Sequence, residues 1–90
     1  MIPEVEELTI EAVEYSTKLD DRFVSAQLAS SLCWALETQI DKAYGRGWNS
    51  EPEVCSNPQG ATRLRVKAPG KLDSDEVLSC INRAIQRVTR

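Results

Sequence analysis

A chain of 90 residues, 41% apolar and 28% charged, has the size of one domain and is too apolar to be a disordered one. Its formal net charge is −3 and its pI near 4.9, the reverse of the basic surplus expected of a nucleic-acid-binding domain. It contains no histidine, which removes the commonest general base and metal ligand from any enzymatic reading.

Glycine and proline are absent between Glu4 and Tyr44. Through that stretch an apolar stripe (Val5, Leu8, Ala12, Tyr15, Leu19, Ala26, Ala29, Cys33, Leu36, Ile40, Ala43) recurs in steps of three and four, interrupted only at Arg22. This spacing predicts a helix over residues 4–44. Glu4, Glu7, Glu11, Glu14 and Lys18 fall on the opposite face, with Glu14 and Lys18 as an i,i+4 pair. An alternating strand through Leu8, Ile10 and Ala12 loses its phase at Val13 and Tyr15. One long helix is favoured, since no glycine or proline breaks it; Asp20 and Asp21 suit an N-cap, so a bend there, or a tight turn giving a helical hairpin, is the alternative. Leu28 and Leu32 widen the stripe, while Phe23 and Trp34, eleven residues apart, would share a second face.

Gly45 and Gly47 stop the helix, and Trp48 is expected to fill the junction between helix and hairpin. Residues 53–68 read as a β-hairpin around Asn57-Pro58-Gln59-Gly60, with Thr62, Leu64 and Val66 alternating with Arg63, Arg65 and Lys67. Pro69-Gly70 ends it. Asp73 and Glu76 form a capping-box pattern, although Ser74 could also serve as cap. Val77, Leu78, Ile81, Ala84, Ile85 and Val88 then give a helix over residues 74–89 one apolar face. The expected fold is a single α+β domain: long N-terminal helix, β-hairpin, C-terminal amphipathic helix.

Function is less legible. No Walker loop, dinucleotide glycine motif or nucleophile elbow occurs, and the paired acids at Asp20-Asp21 and Asp73/Asp75/Glu76 read as helix caps. Cys33, Cys55 and Cys80 lack Cys-x-x-Cys spacing, so neither a disulfide framework nor a metal site is expected. No cofactor or small-molecule substrate is implied. Five glutamates in the first fifteen residues are unlike a signal peptide, and the uncharged run Phe23–Leu36 is too short and polar to cross a bilayer, so a cytoplasmic protein is expected.

Two binding readings remain. A chain this short buries only roughly 60–65% of its unfolded surface, which favours a homodimer or another protein partner covering the helical seam. Leu36 and Ile40 would belong to that seam, with Phe23 and Trp34 as anchors on the second face. The protein would then act as an adaptor, small chaperone or regulatory inhibitor. The alternative rests on charge. Residues 1–44 hold nine acids against three bases, and residues 45–90 hold eight bases against five acids. Arg63, Arg65 and Lys67, helped by Arg83 and Arg87, could contact nucleic acid or an acidic partner. The expected element order (helix, small sheet, helix) is similar to that of small nucleoid-associated proteins, with no motif that identifies a family.

Overall fold

The computed structural model describes residues 11–45, 47–56 and 59–89. The chain is α+β. Strand β1 (Ala12–Leu19) leads through a 3-10 turn (Asp21–Val24) into helix α1 (Ala26–Tyr44). Strands β2 (Glu53–Ser56) and β3 (Thr62–Pro69) and helix α2 (Ser74–Thr89) come next. The three strands form one antiparallel sheet in the order β1-β3-β2, so β1 and β2 run parallel with β3 between them.

The central strand is the hairpin's second strand, and its sequence explains its place. Thr62, Leu64, Val66 and Ala68 are buried, whereas Arg63, Arg65 and Lys67 are exposed. This is the period-two signature of a sheet with one covered face. Pro69 is tolerated at the end of a central strand for a geometric reason. Gly70 N–H donates to Glu11 O at 2.8 Å, and Lys67 N–H donates to Ser50 O at 2.8 Å. By the alternation of an antiparallel ladder, the Pro69 nitrogen faces the β2 side beyond the end of β2, and no strand bond is lost.

Both helices cover the inner face of the sheet. Leu32, Ala35, Leu36, Gln39 and Ile40 of α1 and Val77, Cys80, Ile81 and Ala84 of α2 are buried against it and each other. Ser25 caps α1, its hydroxyl accepting from Leu28 N–H at 3.4 Å. Gly45 ends the helix at φ 85°, a left-handed conformation that glycine adopts without strain, and its N–H donates to Asp41 O. At α2, Glu76 N–H donates to Asp73 Oδ1 (2.9 Å) and Asp73 N–H donates to Glu76 Oε1 (3.3 Å), the reciprocal capping box expected from the sequence. The hairpin and α2 lie where the sequence puts them, although Asn57 and Pro58 of the turn lie outside the described residues.

The long N-terminal helix does not form. Residues 12–19 are a strand, and the helix begins only at Ala26; the part expected over residues 4–10 lies outside the described residues. Val13, Tyr15, Thr17 and Leu19 face the core side, paired with Ala68, Val66, Leu64 and Thr62. β-branched and aromatic side chains suit a pleated, half-buried surface, and the edge of β3 supplies the partner that a local pattern does not reveal. The expected Glu14–Lys18 helical pair is therefore replaced by a cross-strand ion pair between Glu14 and Arg65, 2.7 Å apart. What lies near Asp20 is not a bend within a helix but the passage from strand to helix: Asp20 Oδ1 accepts from Arg22 N–H and caps the 3-10 turn.

A single chain hides the apolar face of α1. Leu32, Leu36 and Ile40 are fully buried, so covering them needs no second copy. Leu36→Asp should accordingly unfold the chain rather than merely dissociate an assembly, because it strands a charge in the core; loss of the far-UV helical signal at every concentration is the expected reading. Thr62 is buried, and its hydroxyl has no hydrogen-bond partner among the described residues. Thr62→Val keeps the shape and removes the unsatisfied group, so denaturant unfolding should show a gain of about 1 kcal/mol.

Candidate interaction surfaces

Three surfaces present chemistry. The first is the outer side of the helix layer. Ser25 and Gly45 fix α1, and its rotation turns Trp34 away from the core, leaving it 65% exposed. A shallow depression beside it is lined by Ser30, Ser31, Trp34, Ala35, Arg87 and Val88. Neither Arg83 nor Arg87, one turn apart on α2, is in an ion pair among the described residues. An exposed tryptophan beside an unpaired arginine is the composition of a protein-contact anchor.

Phe23, Leu36 and Ile40, the other residues expected to meet a partner, are core residues, with 1%, 0% and 0% exposure. Phe23 belongs to the 3-10 turn and does not share a helix face with Trp34. Of the four, Trp34 alone reaches the surface.

The outer face of the sheet is the second surface. Arg63, Arg65 and Lys67 project from it in a row, as expected, but the neighbouring strand and the β2 approach bring acids to them. Arg65 Nη2 meets Glu14 Oε2 at 2.7 Å, and this carboxylate raises the guanidinium pKa above its ordinary value. Lys67 Nζ meets Glu51 Oε1 at 3.0 Å. Arg63 Nε donates to Ser16 Oγ at 3.1 Å, and Lys18 stands directly opposite Arg63 across the ladder. Two of the three cations are thus neutralised within the chain, which leaves a mixed face rather than a phosphate-binding stripe.

The third surface is a groove between α1 and β2, with Ala26, Ala29, Cys33, Pro52 and Val54 among its lining residues. Burial pushes the Cys33 thiol pKa up, and Glu37 and Glu53 add to the shift. Cys80 is pushed up by burial, and its thiol donates to Gln39 O at 3.7 Å, tying the helices together. Neither is an activated nucleophile. All three cysteines are free, and among the described residues no group of three histidine, cysteine, aspartate or glutamate side chains could hold a metal ion.

Trp48 sits at the junction where the sequence puts it. Its N–H donates to Asp41 Oδ1 and its indole Nε1–H to Lys67 O, both at 2.9 Å, while its ring meets Tyr44 edge-on at 5.6 Å. This fastens the end of α1 to the central strand. Among the described residues, no helix is long and apolar enough to cross a membrane. No family model, curated protein or solved structure matches the chain.

Trp48→Phe keeps the ring but loses the bond to Lys67 O, and urea unfolding should show a loss of about 1 kcal/mol. Alkylation of Cys33, followed by peptide mass mapping, should accelerate only as pH rises beyond the ordinary thiol range of ~8.5, since its raised pKa keeps the thiol protonated below that.

Proposed function

We propose that the protein acts by binding rather than by catalysis, as a cytoplasmic interaction module whose helix face receives an acidic segment of another protein. Trp34 is the apolar anchor of this site, and Arg87, with Arg83 one turn away, supplies the charge. The observation that carries the reading is an exposed Trp34 next to an unpaired Arg87, in a chain whose other large aromatics are buried or engaged. Aromatic and arginine side chains together are the commonest energetic centres of protein interfaces, and their charge guides the approach of an acidic partner. An adaptor, small chaperone or regulatory inhibitor would work in this way. Three free cysteines suit a reducing compartment.

Nucleic-acid binding through Arg63, Arg65 and Lys67 is the weaker reading, because Glu14 and Glu51 already occupy Arg65 and Lys67. Salt-dependent affinity needs cations free to displace counterions.

The test is a photo-crosslinking residue at Ser31 in the full chain, expressed in its own cells. The expected result is a protein adduct, mapped by mass spectrometry to an acidic segment, that disappears on Trp34→Ala or Arg87→Glu. Trp34→Ala should alter stability by only roughly 0.5 kcal/mol, as surface substitutions do. Adducts indifferent to both substitutions, or adducts to nucleic acid alone, would overturn the reading.

A further inference from the structure

The free edge of β1 carries a self-complementary pattern that the Trp34 site does not use. β1 is eight residues long and, among the described residues, pairs on one side only, with β3. Long unprotected edges are templates for another strand. The bond from Gly70 N–H to Glu11 O sets the alternation of the ladder: odd-numbered residues of β1 direct their N–H and C=O groups to β3. Those of Ala12, Glu14, Ser16 and Lys18 therefore point outward, as a row of donors and acceptors with no strand partner among the described residues. The opposite edge is a poorer template. β2 has four residues, comes directly after Pro52, and by the same alternation turns outward only the backbone of Val54 and Ser56.

We propose that β1 pairs with β1 of a second copy of this chain, antiparallel about a two-fold axis at Ser16, giving a continuous six-stranded sheet. This goes beyond the Trp34 reading and stands or falls without it. The sequence fits the symmetry. With Ser16 opposite Ser16 of the other copy, Glu14 falls opposite Lys18 and Lys18 opposite Glu14. Both lie on the outer face, where opposite charges across a ladder attract. On the inner face, Val13 falls opposite Leu19 and Tyr15 opposite Thr17. The main-chain groups that face each other are those of Glu14, Ser16 and Lys18, the ones left outward by the pairing with β3. Shifting the axis by one residue in either direction breaks the charge match: centring on Thr17 sets Glu14 against Asp20, and centring on Tyr15 sets it against Ser16.

Two further observations fit the second copy. Lys18 stands opposite Arg63 and has no ion pair among the described residues, an unfavourable arrangement within one chain that the other copy's Glu14 would relieve. Val13, on the core-facing side of β1, is still 39% exposed, and Leu78 of α2 is 47% exposed. α1 packs toward β2, and the flank of α2 that meets α1 carries Glu76, Ser79, Cys80 and Arg83, so Leu78 lies on the flank turned away from α1. An added strand would extend the covered face to that flank. A strand pair of this size makes a small interface, so the dimer belongs to the weak, exchanging class.

The experiment uses the full chain. Sedimentation across a dilution series should show the 10.1 kDa chain doubling in mass as concentration rises. Lys18→Glu sets two pairs of like charges across the two-fold and should weaken the dimer roughly tenfold or more. It should leave the fold intact, because Glu at position 18 gains Arg63 as a neighbour in its own chain; an unchanged or raised melting temperature checks this. Glu14→Lys alone should likewise weaken self-association. Mixing the two variants should restore a one-to-one dimer, since each then supplies the charge the other lacks. Ser16→Cys should form a disulfide between its two copies on oxidation, identified by peptide mapping so that Cys33, Cys55 and Cys80 are not confused with it.

A wild-type chain monomeric at all concentrations would overturn the proposal and mean that the edge has another occupant, the chain's own first ten residues or a different protein. A dimer unaffected by Lys18→Glu, or failure of the mixed variants to associate, would overturn it equally. None of these results bears on Trp34, whose own variant leaves the β1 edge untouched.

Discussion

Everything in this molecule is hung on β3. Among the described residues it is the one strand bonded along both sides, and its alternation divides the domain into a dry side and a wet side. Leu64, Val66 and Ala68 form the floor on which both helices rest, while the intervening Arg63, Arg65 and Lys67 hold the outer face in water. A slip of one residue in its pairing would send three cations into the core, a cost no local rearrangement could offset. The position of β1, the direction in which α1 leaves it, and the seat of Trp48 on Lys67 O all derive from this strand.

Charges on the outer face then acquire a structural sense. The acidic front half meets the basic rear half within the sheet at Glu14 and Arg65, while Glu51 meets Lys67 inside the rear half itself. These pairs are about half exposed, where water screens an ion pair and leaves it little net effect on stability. Their value lies more in orientation, since each acid stands where β3 would otherwise crowd like charges together. Among the described residues, part of what looks in the sequence like a charge gradient is, in space, local neutralisation. On the helix layer Arg87 has no ion pair among the described residues, and beside it Trp34 is exposed.

Some of this can be read from the residues alone. The second helix is unambiguous because its apolar spacing, its cap and its first-turn acids agree at every level. The hairpin is clear for the same reason. β1 is not. Tyr15 and Leu19 are four residues apart, a spacing that puts two side chains on one face in a helix and in a strand alike. The deciding residues are Val13 and Thr17, which complete the alternation with Tyr15 and Leu19 against Glu14, Ser16 and Lys18. Ala12, small enough for either pattern, carries the false helical phase across the boundary. The helix start is also obscured: Asp20 and Asp21 draw attention as caps, while Ser25, the residue that caps α1, stands among residues that look helical on both sides. Without the strand, its outward backbone and the mirror relation of Glu14 and Lys18 about Ser16 are invisible. No helical stripe accounts for Trp34, which from the residues alone could equally be covered by the hairpin or the second helix, whereas Phe23 is misleading because helical spacing assigns it to a helix it does not join.

Pro69 has an effect that reaches past its own position. Lacking a hydrogen on its nitrogen, it places a gap at the far margin of the hairpin, just where the shorter neighbour has already turned away. Nothing growing along that flank could continue in step with the central strand. The opposite flank meets no such stop: its bonds run the full length of eight residues and on to Gly70. One imino acid thus limits how far the first strand of the hairpin could be extended along β3, a limit that the β1 side does not share.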